Sequence, residues 1–125
     1  MRILSVIYFL SISGFSYGQA DNKKPEIFPG ISVYTGSRHN FNSQYVVVKT
    51  TGQNIVLASD NAYSYYNIEH SVSAPGYATW DTTGYVKQIN KMKSFVKDTK
   101  YIIPGHDGLV FERFGQIADD IAEIK

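Results

Sequence analysis

The sequence predicts an α/β domain, and three observations carry that prediction. Two β-branched runs, Gln44–Thr50 (QYVVVKT) and Asn54–Ser59 (NIVLAS), flank the turn Thr51-Gly52-Gln53 and read as an antiparallel hairpin. Asp81–Asp98 has the spacing of a helix. A short apolar run, Lys100–Pro104 (KYIIP), follows it and reads as a further strand. Hairpin, helix and strand in that order, with a last helix behind them, make an α/β arrangement.

Taken along the chain, Met1 and Arg2 precede a 13-residue apolar run, Ile3–Phe15, and then the small polar stretch Ser16–Ala20. That is the pattern of a secretory signal peptide over residues 1–20, cleaved after Gly18 or Ala20. The run is too short to span a bilayer, which needs about 18 or more apolar residues. The expected location is therefore periplasmic or secreted, with no membrane association after cleavage. Residues 21–30, charged and with two prolines, read as a linker without structure of its own. Residues 31–125 form the domain. Ile31–Tyr34 is a short β-prone run, and the tyrosine-rich stretch Asp60–Pro75 reads as a loop with one helical turn. In Asp81–Asp98, Asp81 or a following threonine is the cap. Val86, Ile89, Lys93 and Val96, with Met92 and Phe95, mark the inner side, while Lys87, Lys91 and Lys97 are solvated. Gly115–Lys125 is expected to be the last helix, with Ile117, Ile121 and Ile124 on one stripe.

Composition narrows the chemistry. The 125 residues carry 12 Lys plus Arg against 11 Asp plus Glu, a formal charge of +1. That balance gives no electrostatic footprint for nucleic acid. With no cysteine, disulfides, thiolate metal sites and Cys nucleophiles are excluded, and three histidines remain. In Tyr45-Val46-Val47-Val48 apolar side chains point to both sides of the sheet, as in a sheet covered on two faces. The two predicted helices cover one face, and nothing obvious in the chain covers the other.

The hairpin has a geometric consequence for the polar residues. Its turn lies at Thr51–Gln53, so His39, before the first strand, and Asp60, after the second, share one edge of the sheet. If Lys100–Pro104 pairs parallel to Asn54–Ser59, His106 joins them at the carboxyl edge, where open α/β sheets place their ligands. Two imidazoles and a carboxylate suit a borderline-soft divalent cation such as zinc. Spacing alone leaves ordinary alternatives open. A histidine in a loop is commonly a surface or capping residue, Asp60-Asn61 is a fair helix cap, and Pro104-Gly105-His106-Asp107 is a fair turn. His70 has no partner in the sequence and reads as surface.

Three segments in this order resemble the C-terminal half of the metallo-β-lactamase-fold hydrolases. Arg38–Ser43 (RHNFNS) is similar to their third metal motif, with Asn42 standing where that loop usually has glycine. Ile55–Asp60 (IVLASD) resembles the strand that delivers a metal-bridging aspartate, and Ile102–Asp107 (IIPGHD) the strand and final metal-ligand histidine. Within that superfamily, Asp60-Asn61-Ala62-Tyr63 followed by Asn67-Ile68-Glu69 looks most like the N-acyl homoserine lactonases. The resemblance implies half of an αββα sandwich and a zinc-dependent hydrolysis of a small lactone or ester, with an amide also in range. It makes His39, Asp60 and His106 the metal ligands, with Asp60 bridging two ions whose bound hydroxide attacks the carbonyl. Tyr63 takes the place of a substrate-contacting tyrosine that hydrogen-bonds the lactone carbonyl or leaving oxygen; the ordinary alternative is aromatic packing, as expected of Tyr65 and Tyr66.

The same resemblance exposes a gap. The family draws further ligands from a His-x-His-x-Asp-His motif in its first half, and no such motif occurs here; no histidine precedes His39. The expectation is a truncated hydrolase that either needs the missing N-terminal half as a partner or persists as a non-catalytic interaction module, self-associating as a homo-oligomer through its uncovered sheet face.

Overall fold

The structure, a computed structural model, describes residues 26–36, 39–40 and 42–124; the expected signal peptide and most of the linker lie outside them. Its centre is a five-stranded sheet in the order β1-β2-β3-β4-β5, formed by Glu26–Phe28, Ile31–Thr35, Gln44–Lys49, Asn54–Ser59 and Ile102–Pro104. The first four strands pair antiparallel, and β5 joins β4 in parallel. A parallel pair needs a crossover. Here it holds helices α1 (Tyr65–His70) and α2 (Thr82–Lys93), then a single 3₁₀ turn at Thr99–Tyr101. Among the described residues no helix is long and apolar enough to cross a membrane.

The alternating pleat sorts the side chains. Tyr45, Val47, Val56, Ala58 and Ile102 face one way and are buried against Tyr65 and Ile68 of α1 and Tyr85, Ile89 and Met92 of α2. Each large apolar side chain removed from water there contributes about 1.5–3 kcal/mol. The register pairs Ile31 with Val48, Val33 with Val46, Val46 with Leu57, Val48 with Ile55, and Leu57 with Ile103, which places all seven on the other face. None of the seven is buried, and Leu57 is 42% exposed. This is the second, uncovered face expected from the Tyr45–Val48 pattern.

Local chemistry sets the helix limits. Ser64 and Asn67 form a reciprocal capping box at the start of α1, and Ser71 ends it in a left-handed conformation (φ 53°). Asp81 caps α2 by accepting from the Gly84 N–H at 2.7 Å.

Five sequence expectations need correction. The Asp81–Asp98 helix stops at Lys93, and its buried stripe is Tyr85, Ile89 and Met92; Phe95 and Val96 pack against the core from the turn beyond. The Lys100–Pro104 strand starts only at Ile102, because Asp98 caps the 3₁₀ turn through the Lys100 N–H. Residues 26–28 of the linker are a strand, paired at the sheet edge with β2. Tyr66 is 63% exposed, so only Tyr65 of the pair packs in the core. Finally, Gly115–Ile124, the described part of the expected last helix, is not helical. The last helix is α3, Leu109–Phe114, ended by Gly115 at φ 73°, and β6 (Gln116–Ala118) and β7 (Ile121–Ala122) form a small hairpin behind it. Asp120 turns that hairpin in the left-handed region (φ 58°), which aspartate tolerates better than most residues. The isoleucine spacing is helical, but Ile117 and Ile121 are exposed and gain no packing from a helix.

Candidate metal centre

Three chain segments meet at the carboxyl edge of β4 and β5. Strand β4 ends on Ser59, held at φ 50°, and the chain turns sharply there to present Asp60. The Asp60 carboxylate is 40% exposed and meets two imidazoles, one on each oxygen. His106 Nε2 lies 2.8 Å from Oδ1, and His39 Nε2 lies 3.3 Å from Oδ2. His39 is the more enclosed of the two, with 17% of its side chain exposed against 58% for His106.

His39 reaches this place because its loop is stapled shut. The Gly36 N–H donates to the Ser43 carbonyl at 2.7 Å, and Ser43 Oγ donates to Asn61 Oδ1 at 3.0 Å. Asn61, buried beside Asp60, donates through Nδ2 to the carbonyls of Gln44 and Ala58. One amide thus joins the His39 loop, the start of β3 and the end of β4. Asn42 takes φ 64° in the same loop. Asparagine enters that region more readily than most side chains, which accounts for it in a position where glycine is usual in the resembling motif. Histidine 106 arrives differently. The Gly105 N–H donates to the Ala62 carbonyl at 3.0 Å and the His106 N–H to the Tyr63 carbonyl at 2.9 Å, so strand-like pairing continues past β5. A Cβ on Gly105 would lie 2.8 Å from the Ser59 carbonyl carbon and 3.1 Å from Asp60 Oδ1, so only glycine permits this approach.

Tyr63 stands between the two imidazoles. Its ring centroid is 4.7 Å from that of His106 and 5.5 Å from that of His39. Desolvation holds its phenol above the ordinary tyrosine range, with the Asp60 carboxylate and Tyr77 adding to the shift. All four residues singled out from the sequence are therefore brought to one rim. His70 is not among them: it is exposed on α1 with its ring 4.3 Å from that of Tyr66.

Among the described residues no group of three or more His, Cys, Asp and Glu side chains forms a ready-made metal site. A hydrogen bond joins His106 to Asp60 instead, and His39 lies at ion-pair distance from the other carboxylate oxygen. The donor chemistry nevertheless fits a divalent metal. His39 Nδ1 is buried without a hydrogen-bond partner, so no neighbour fixes the tautomer, and Nε2 can present either a proton to Asp60 or a lone pair to a cation. Two atoms bound to one zinc in a tetrahedral shell are about 3.3 Å apart. His39 Nε2 and Asp60 Oδ2 have that spacing, at 3.3 Å. The shorter His106 contact has to open by roughly 0.5 Å to reach the same tetrahedral spacing.

Sequence reasoning assigned no supporting role to three residues behind this rim. Asn61 and Asp107 lay within the motifs quoted for the resemblance, and Tyr85 had no signal; Asn61 holds the carbonyls of Gln44 and Ala58, Tyr85 Oη accepts the Tyr63 N–H, and Asp107 accepts the Tyr65 N–H.

No protein-family model matches the chain, and no curated protein matches it. Among the solved structures similar to it are two lactone-hydrolase complexes. One is an N-acyl homoserine lactone hydrolase with the product N-hexanoyl-L-homoserine at its catalytic metal centre. The other is a mutant of AiiA from B. thuringiensis with N-decanoyl-L-homoserine at its active site. Each is 26% identical, superposes with a TM-score of 0.56, and covers 72% of this chain. The chain spans only 36% of either neighbour's length. The likeness supports the metallo-β-lactamase superfamily for the part of the chain that superposes.

Proposed function

We propose that this chain carries the C-terminal half of a zinc-dependent hydrolase acting on a small lactone or related ester, in a truncated, exported form. The observation that supports it is the placement of two imidazoles on opposite oxygens of the Asp60 carboxylate. In this reading His39 and His106 would each hold an ion, with Asp60 serving both. When bound, zinc supplies Lewis acidity and lowers the pKa of its water. Tyr63, projecting between the imidazoles, hydrogen-bonds the lactone carbonyl or leaving oxygen and orients it against the rim. The missing ligands belong to a first half of the fold, and His-x-His-x-Asp-His does not occur in the sequence. The chain alone is therefore expected to bind zinc weakly and to turn over little lactone.

Calorimetric zinc titration of the chain without residues 1–20 tests this. Asp60→Ala is expected to abolish binding while His70→Ala leaves it unchanged. A first half supplied in trans is expected to restore lactone hydrolysis, and Tyr63→Phe then to lower it by about tenfold or more, the scale of one lost transition-state hydrogen bond. Equal zinc affinity in the Asp60→Ala and parent chains would sink the metal reading.

A second reading, a non-catalytic module that self-associates, is favoured by the seven apolar side chains on the open face of the sheet. Exposed apolar patches of that kind commonly mark interfaces.

A further inference from the structure

Tyr63 and His106 sit on neighbouring chain segments that leave β4 and β5 side by side. Two backbone hydrogen bonds join these segments, and the side chains of Tyr85, from α2, and Asp107, the residue after His106, bracket them. From beneath, the fully buried Tyr85 of α2 offers its phenol oxygen to the Tyr63 N–H at 2.8 Å. From the His106 side, Asp107 Oδ2 accepts the Tyr65 N–H at 2.8 Å and Oδ1 accepts the Leu109 N–H at 3.0 Å. The Leu109 contact is an ordinary local cap. The Tyr65 contact is not, because it ties the exit of β5 to a backbone group 42 residues earlier. His106 itself is 58% exposed, so side-chain packing contributes little to holding it.

We infer that Asp107 and Tyr85 are positioning residues that fix the Tyr63 ring and the His106 imidazole relative to each other. They do so through the backbones of Tyr63, Tyr65 and His106. Replacing Asp107 by alanine leaves two N–H groups without their acceptor and frees the segment that carries His106. Replacing Tyr85 by phenylalanine keeps the buried ring and removes only the acceptor for Tyr63. Whether zinc binds matters for one of the two readouts below, and that readout alone rests on the proposed function.

The test uses the full chain, free of metal, and reads the nuclear Overhauser contact between the Tyr63 and His106 rings, whose centroids are 4.7 Å apart. Asp107→Ala and Tyr85→Phe are expected to lose it. Asp107→Asn keeps one acceptor oxygen and is expected to retain part of it. Asn54→Ala deletes a side-chain bond to the Phe95 carbonyl at the far end of the sheet and serves as the control for general loosening; it is expected to keep the contact. In a zinc titration the two clamp variants are expected to bind about 10–100-fold more weakly, the usual cost of losing support around a ligand. If Asp107→Ala does not fold, Asp107→Asn and Tyr85→Phe decide. An unchanged ring contact in folded Asp107→Asn and Tyr85→Phe would overturn the inference. A parent chain that binds no zinc, with the ring contact still lost in the variants, would refute the metal reading and uphold this one.

Discussion

Asp60 shows how much of this site is decided at single residues. Its carboxylate faces both imidazoles only because Ser59 turns the chain in the left-handed region and Gly105 lets β5 come close. A left-handed non-glycine residue costs of order 1 kcal/mol and persists where its surroundings hold it. The pairing of the Gly105 and His106 N–H groups with Ala62 and Tyr63 supplies that hold. Gly105→Ala is therefore expected to act twice. The added methyl would sit 2.8 Å from the Ser59 carbonyl carbon, where backbone has to shift, so stability should fall by about 1–3 kcal/mol. The shift also carries His106 off Asp60 Oδ1, so under the proposed metal reading zinc affinity should fall with it. Urea unfolding and zinc titration of the same variant check both. A variant as stable as the parent, with parental zinc affinity, would show that the close approach is not needed.

At the scale of elements, the core is unusual in using tyrosine where the sheet meets the helices. Tyr45 of β3, Tyr65 of α1 and Tyr85 of α2 are each almost entirely buried. Burial disfavours the phenolate in all three. It pushes Tyr65 and Tyr85 up to about 12 and Tyr45 higher still. Tyr34 adds to the shift at Tyr45, while the Arg113 guanidinium stacked on Tyr65 pulls the other way. An unfolded tyrosine titrates near 10. Between about pH 10 and 12 the unfolded chain therefore binds fewer protons than the native one, and the free energy of unfolding falls as pH rises. The contribution is complete below pH 10 and lost through the folded values. Urea midpoints are expected to be level from pH 8 to 9.5 and to drop steeply above 10. A level midpoint at pH 11 would contradict this account of the core.

For the whole molecule, the decisive feature is a sheet with one finished face. Helices α1 and α2 cover one side. On the other, Ile31, Val33, Val46, Val48, Ile55, Leu57 and Ile103 form a continuous apolar surface that water still reaches. In the sandwich that the resemblance implies, a second sheet lies there. An isolated chain is expected to bury that surface by association. Leu57→Glu, at the most exposed of the seven positions, places a charge in the middle of it. It should shift sedimentation velocity from oligomer to monomer without loss of secondary structure, since Leu57 contributes little to the covered core. A parent chain that sediments as a monomer at tens of micromolar would remove the self-association reading.

The hairpin, the crossover helix and the shared edge of His39 and Asp60 were legible in the sequence, because a turn of known position between two β-branched runs fixes which strand ends are neighbours. That His106 joins them depended on β5 pairing parallel to β4, which the fold supplies. The doubly apolar Tyr45–Val48 pattern likewise made the uncovered face legible, because strand side chains alternate whatever packs against them. Tertiary structure alone decided the rest. Ile117, Ile121 and Ile124 have helical spacing, yet spacing is only an opportunity for burial. With no core behind them, Gly115 and the Asp119-Asp120 turn prevail and the segment becomes a hairpin. The long-range bonds of Asn61, Tyr85 and Asp107 were not legible, because their partners at Gln44, Tyr63 and Tyr65 are brought near only by folding. Which polar side chain holds which main-chain atom is set by the distance between loops in space, and no local pattern of residues encodes that distance.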